Sequence, residues 1–187
     1  MRADVSEHRH GQRPPREALR RLRVIRNKGG HAMTAIRFDP IADPYSDNVF
    51  QRIKSGLYTS VDTVFGWKDD FQRQRIKDEY RAEWFYWAMA EDQCLGLVCF
   101  KPYDHALHLH LIIVDAALRG QGVGKKIMQA IHHRADAEAR TVTLSCFRCN
   151  TPALHLYQSL GYEITSEEPE FLLFRRPGIM DSKTDTE

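Results

Sequence analysis

Residues 106–124 constrain this chain more than any other stretch. Ala106–Val114 is an apolar run that becomes β-branched toward its end, and it leads through Asp115–Arg119 into Gly120-Gln121-Gly122-Val123-Gly124. The run is long enough for a central strand. Behind the glycines a helical pattern starts at once, with Val123, Ile127 and Ile131 spaced by four, Met128 and Ala135 beside them, and an end near Arg140. A buried strand that enters a helix through a glycine turn leaves unpaired backbone N–H groups and the positive end of the helix dipole facing outward. Such a turn is an anion site, and phosphate is its natural guest.

The rest of the chain supplies a sheet around this unit. Ala35–Phe38 reads as a short first strand closed by Asp39-Pro40, and a helical region follows, first over Pro44–Leu57 and again from Asp69-Asp70 to before Trp84. Phe85–Ala90 and Cys94–Lys101 read as a hairpin about Glu91-Asp92-Gln93, Thr141–Phe147 as a further strand, and Tyr162–Thr165 with Phe171–Arg175 as a closing pair. Between them, Thr151 as N-cap, Pro152 at the first helical position and Gly161 just past the end punctuate a short helix over Pro152–Leu160. The order β, helices, β, β, β, α, β, α, β, β mixes hairpins with one strand–helix–strand unit. The fold class expected is therefore α/β (α+β), a mixed central sheet of six to seven strands flanked by about four helices.

The glycine turn lacks the Gly-Lys-Ser/Thr ending of a nucleotide P-loop, and glycines at 120, 122 and 124 do not have dinucleotide-fold spacing. What Val114, Arg119-Gly-Gln-Gly-Val-Gly124, a helix, a strand, Asn150 and Leu156-Tyr157-Gln-Ser-Leu-Gly161-Tyr162 do resemble is the GNAT acetyltransferase superfamily. Ala116-Ala117 stand where Pro-Glu is common in that superfamily, in the connection before the turn. The resemblance implies the GNAT fold and acetyl-CoA as co-substrate. It places the cofactor pyrophosphate on the backbone of Arg119, Gly120, Gln121, Gly122, Val123, Gly124 and Lys125. It also implies that Asn150 contacts the pantetheine arm, that Ile112, Ile113, Val114, Ala153 and Tyr157 are among the cofactor-binding residues, that backbone N–H groups where the strand of Leu111–Val114 leaves its neighbour polarise the carbonyl, and that Tyr157 is the proton donor to the departing thiolate. Leu107-His-Leu-His-Leu-Ile-Ile-Val114 with Arg119 resembles the serotonin (arylalkylamine) N-acetyltransferases, which implies that His108 and His110 help to remove the amine proton through water.

Acetyl transfer to an amine needs a neutral nucleophile, a donor for the developing oxyanion and a proton for the leaving sulfur. Alternate residues of a strand share a face, so His108 and His110 look the same way and are the leading base candidates, or else hydrogen-bond across the sheet as structural residues. Glu79, Glu83 and Asp115 are the runner-up carboxylates. No third ligand at a convincing spacing accompanies the histidines, so no metal is expected. The expected reaction moves acetyl from acetyl-CoA to a primary amine of a small molecule by direct attack in a ternary complex. A protein lysine or N-terminal acetyltransferase, and a non-catalytic acyl-CoA-binding regulatory module, are the alternatives. Tyr58, Phe65, Trp67, Phe71 and Trp84 could line an acceptor pocket, and Glu167, Glu168 and Glu170 could attract a cation.

Charge divides the chain. Residues 1–32 carry nine Lys/Arg against three Asp/Glu in a chain of net charge +2, so the leader is basic and the body acidic. The leader reads as a disordered extension without aromatic residues to stack on bases, with Met33 as an alternative start; 33–176 reads as the N-acetyltransferase domain and 177–187 as a polar tail. Neither nucleic acid nor membrane is an expected partner, and homodimerisation is left open. Cys94, Cys99, Cys146 and Cys149 are too few for a disulfide framework, so a reduced cytoplasmic protein with buried thiols at a strand end is expected.

Overall fold

The computed structural model of the chain describes residues 35–176. The expectations for the basic leader, for Met33 and for the tail beyond 176 fall outside the described residues. Within them the chain forms β1 (Ile36–Pro40), α1 (Asp47–Phe65), α2 (Asp69–Glu79), β2 (Phe85–Ala90), β3 (Gln93–Pro102), β4 (Ala106–Val114), α3 (Val123–Ala137), β5 (Thr141–Phe147), α4 (Thr151–Ser159), β6 (Glu163–Glu167) and β7 (Phe171–Arg176). Short 3-10 turns at Ala82–Trp84 and Ala116–Leu118 complete the order. The strands make one seven-stranded sheet in the order β1-β2-β3-β4-β5-β7-β6. Among the described residues no helix is long and apolar enough to cross a membrane.

Five of the six strand pairings are antiparallel, and β4 with β5 is the parallel pair. That pair is short. β4 meets β5 only through Ala106–Leu109 against Thr141–Leu144, while β4 continues along β3 to Val114 and β5 continues along β7 to Phe147. The two strands therefore part after Leu109 and Leu144 and leave a V-shaped opening in the middle of the sheet.

Each face of the sheet carries its own core. Leu107, Leu109, Val142, Leu144, Cys146 and Phe174 pack with Ile127, Met128 and Ile131 of α3, whereas Phe85, Leu97, Cys99, Leu111 and Ile113 pack with Val49, Phe50 and Ile53 of α1 and Ile76 of α2. Alternation along β4 is regular in burial, yet the strand changes sides midway. Cys99 pairs with Leu111 and Phe100 with Leu109, so His110 is an extra residue opposite no partner. This bulge turns Leu111 and Ile113 toward the α1 core after Leu107 and Leu109 have served the α3 core.

Several helix limits differ from expectation. α1 begins at Asp47 behind Ser46 and runs to Phe65, eight residues beyond Leu57. Gly56 in its middle lies where a Cβ would come 2.5 Å from Cδ1 of Ile113, so the glycine permits close approach to β4 and does not end the helix. α2 stops at Glu79, and Tyr80 is extended. For α4 the N-cap is Asn150, whose side chain accepts from the Ala153 N–H at 3.3 Å, which moves Thr151 and Pro152 one position into the helix. Its far end is as expected: Gly161 takes φ 79°, and the Tyr162 and Gly161 N–H groups bond to the carbonyls of Tyr157 and Gln158 in a Schellman closure.

Candidate active site

The glycine turn sits at the end of β4 where the opening is widest. Gly120 and Gly122 have φ of 73° and 75°, the left-handed conformation that side-chain-bearing residues rarely adopt, and Gly122 is the N-cap of α3. The first helical bond of α3 runs from the Lys126 N–H to the Gly122 carbonyl. Among the described residues none of the N–H groups from Gly120 to Lys125 has a close hydrogen-bond partner. They form an open cradle of N–H groups at the start of α3. The Arg119 side chain does something else: Nε donates to the Val114 carbonyl at 3.1 Å and a terminal nitrogen donates to Ser55 Oγ at 3.2 Å. It clamps the turn to α1, and because the Arg119 N–H donates to the Ala116 carbonyl, the unpartnered N–H groups begin at Gly120. A recess of about 280 Å³ lies beside this clamp, between Asn48, Gln51 and Arg52 of α1 and Val114–Ala116.

At the other end of the opening, His108 and His110 flank Leu109, the last β4 residue paired with β5. The two rings lie 4.7 Å apart on the α1 face. Thr143, directly across from His108 on β5, brings its Oγ1 to 2.8 Å from His108 Nδ1. His110 stacks on Trp84 with ring centres 5.6 Å apart and planes 12° apart, and Tyr80 approaches it to 4.9 Å. Its Nε2 is buried and has no hydrogen-bond partner among the described residues. Burial lowers the pKa of both imidazoles, with Lys101 acting in the same direction; His110, next to His108 as well, falls to about 4. Both rings are thus neutral at pH 7 and able to accept a proton.

Tyr157 lies on the opposite face, in the α3 core, 5% exposed and packed against Tyr162 and Phe174. Burial, reinforced by Cys146, raises its pKa well above the usual phenol value, so the hydroxyl keeps its proton. Base candidates and acid candidate therefore approach the opening from opposite faces. Asn150 and Ala153 share the first turn of α4, and the cap engages Oδ1 of Asn150, leaving its amide nitrogen free of that bond. Ile112 and Val114 pack toward the α3 core and Ile113 toward the α1 core.

The other candidates are dispersed. Asp115 pairs with Arg52 at 3.0 Å and caps its own 3-10 turn, Glu79 pairs with Arg75, and Glu83 lies 3.9 Å from Arg81. Of the five aromatics named from the sequence, Trp84 alone meets the histidines; Tyr58 and Phe71 are exposed, and Trp67 packs on Phe50 and Tyr58. Phe65, 59% exposed, reaches Phe147 and Phe171 at the ends of β5 and β7, so α1 spans the opening on its own face. Arg148 anchors the acidic turn through Glu167 at 2.7 Å. Cys146 is buried at the strand end as expected and its thiol is pushed up to about 12, but Cys149 is exposed. Among the described residues no group of three or more His, Cys, Asp or Glu side chains is arranged for a metal ion. Tyr80, Lys101 and Thr143 were not legible as site residues, because only strand pairing and the bulge bring them to the histidines.

A parted parallel pair with an N–H cradle at one end and two neutral imidazoles at the other defines a site for an anionic, extended ligand and a nucleophile. Residues 53–162 match the profile of the Acetyltransferase (GNAT) family, more than half of the 187-residue chain, and the chain belongs to that family. It is 26% identical over 138 residues to a mycothiol acetyltransferase of Gordonia bronchialis, covering 68% of this chain and 44% of that one. Identity to a mycothiol acetyltransferase of Thermobifida fusca is 31% over 81 residues, 43% of this chain and 24% of that one. The chain thus spans less than half the length of either relative. The structure of PaiA N-acetyltransferase from Thermoplasma acidophilum in complex with coenzyme A superposes with a TM-score of 0.60, covering 76% of this chain and 98% of that one; at 11% identity the likeness is one of fold.

Proposed function

We propose that the chain is an N-acetyltransferase that moves the acetyl group of acetyl-CoA onto a primary amine of a small molecule, by direct attack in a ternary complex. The observation that carries this reading is the parting of β4 from β5 between the Gly120–Lys125 cradle and the His108–His110 pair. Family membership and the coenzyme A complex of the PaiA enzyme support the choice of co-substrate.

In this reading the free N–H groups of Gly120–Lys125 bind the pyrophosphate with help from the α3 dipole. Ile112, Ile113 and Val114 line the pantetheine arm, and Asn150 and Ala153 meet it from α4. Alternate N–H groups of β4 beyond Leu109 point away from β3 toward the opening, where a donor can stabilise charge developing on the thioester oxygen. His108 or His110, neutral at pH 7, takes a proton from the incoming ammonium through water, so that the amine nitrogen bonds to the carbonyl carbon. The carbon–sulfur bond breaks, Tyr157 gives its proton to the thiolate, and the second proton of the acylated nitrogen leaves through water to restore the phenol. Trp84 and Tyr80 beside His110 supply apolar surface for the body of a small amine.

A protein or peptide acceptor is the second reading. Its support is that Tyr58, Phe65 and Phe71 stand exposed along α1 and α2 and do not enclose a pocket. Titration calorimetry with acetyl-CoA, run beside a thiol-release assay on aromatic amines, polyamines and peptides, decides among these. Binding with thiol release for small amines is expected. Release for peptides alone would select the second reading, and no binding at millimolar acetyl-CoA would overturn both.

A further inference from the structure

We propose that Lys101 is a positioning residue for the base, an uncompensated cation that holds the His108–His110 pair in its proton-accepting form at and below neutral pH. The inference rests on the base role given to the pair above. Lys101 is the β3 residue directly opposite His108. Its Nζ lies 5.0 Å from the ring centre of Trp84 and 4.3 Å from that of Tyr103. Trp84 is the ring stacked on His110, and Tyr103 meets His108 edge-on at 6.4 Å. Each of the two rings that carry the ammonium also touches an imidazole.

The charges around the pair leave Lys101 without a rival. From the segment before β2 come Tyr80 and Trp84; Arg81 lies 5.9 Å from the Trp84 ring but has Glu83 within 3.9 Å. From α2, Arg75 and Glu79 neutralise each other at 3.0 Å. β3 contributes Cys99, a thiol that burial keeps protonated, and β5 contributes the uncharged Thr143. Lys101 has no carboxylate partner among the described residues, and aromatic faces hold it instead. A paired cation acts at a distance as a dipole, whereas an unpaired one keeps its full field over neighbouring groups. Protonating either imidazole beside it places like charges together, which adds to the larger effect of burial on both rings and, at His110, to that of His108.

The test titrates the ring resonances of His108 and His110 by NMR in wild type, Lys101→Met and Lys101→Arg, with single histidine variants for assignment, beside the pH dependence of kcat/KM. In Lys101→Met both midpoints are expected to rise by about half a unit to one unit, and Lys101→Arg, which keeps the charge, is expected to stay near wild type. Midpoints that do not move in Lys101→Met overturn the proposal, as does an equal shift in Lys101→Arg, which would mark a packing effect. The kinetic limb answers the other question: midpoints that move while the acid limb of kcat/KM stays fixed support Lys101 as the tuning charge and remove the pair as the base.

Discussion

His108 Nδ1 and Thr143 Oγ1 lie 2.8 Å apart across the last paired stretch of β4 and β5, where the sheet is about to open. With Nδ1–H donated to the hydroxyl, the lone pair of the neutral ring sits on Nε2, and the ring plane is fixed. Thr143→Val keeps the shape and removes the oxygen. It is expected to lower kcat about 10-fold or more with little change in acetyl-CoA affinity, and Thr143→Ser is expected to recover most of the loss. Equal activity in the Val and Ser variants would show that the contact serves packing only.

Tyr157→Phe removes one oxygen from a ring packed between Tyr162 and Phe174. If the phenol is the donor to the leaving sulfur, steady-state thiol release falls about 10²-fold or more while the fold is kept. An unchanged rate takes Tyr157 out of the mechanism and leaves it as a core aromatic.

The glycines of the turn are not equivalent. Gly122→Ala forces a Cβ into φ 75° with nothing within 4 Å to clash, so its cost is backbone strain of roughly 1–2 kcal/mol. Gly124 is helical, and a Cβ there would meet Leu156 and Val114 at the ordinary distances of 3.5 and 3.6 Å. Gly124→Ala is therefore expected to be neutral or to raise stability by up to about 1 kcal/mol. Thermal unfolding of the two variants checks the ranking, and a reversed order would contradict the assigned backbone.

His132 gives stability a pH dependence that has nothing to do with the reaction. It is 8% exposed, its Nε2 lies 3.0 Å from Tyr162 Oη, and burial, with Arg176 acting in the same direction, lowers its pKa to about 4. Between an unfolded value of roughly 6.5 and that folded value the unfolded chain binds more protons, so stability is full above pH 6.5 and falls as pH drops toward 4. The loss from this group is on the order of 2–3 kcal/mol. Denaturant unfolding at pH 7 and pH 5 should show it, and His132→Leu should narrow the difference while leaving the part that His110, lowered as far, contributes.

The strand–turn–helix unit was legible because its signals are local: two glycines with positive φ, an apolar pattern of period four, and a histidine pair on alternate residues. The bulge left no such mark. Leu107, Leu109, Leu111 and Ile113 read as one apolar face, and only the pairing with β3 reveals that the first two and the last two serve different cores. Thr143 and Lys101 stand 35 and 7 residues from His108, and neither separation hints at contact without the register. The cap of α4 was displaced by one because Asn150 and Thr151 have nearly the same preference for that position, and the Ala153 N–H selects the asparagine.

Four residue pairs between Ala106–Leu109 and Thr141–Leu144 are the whole of the strand pairing between β1–β4 and β5–β7 among the described residues. The sheet is in this sense a book with a short spine, and its loose pages are the strand edges that face each other past Leu109. If the proposed ligand lies along that gap it joins the two edges, and the chain's resistance to unfolding is then expected to rise with ligand concentration.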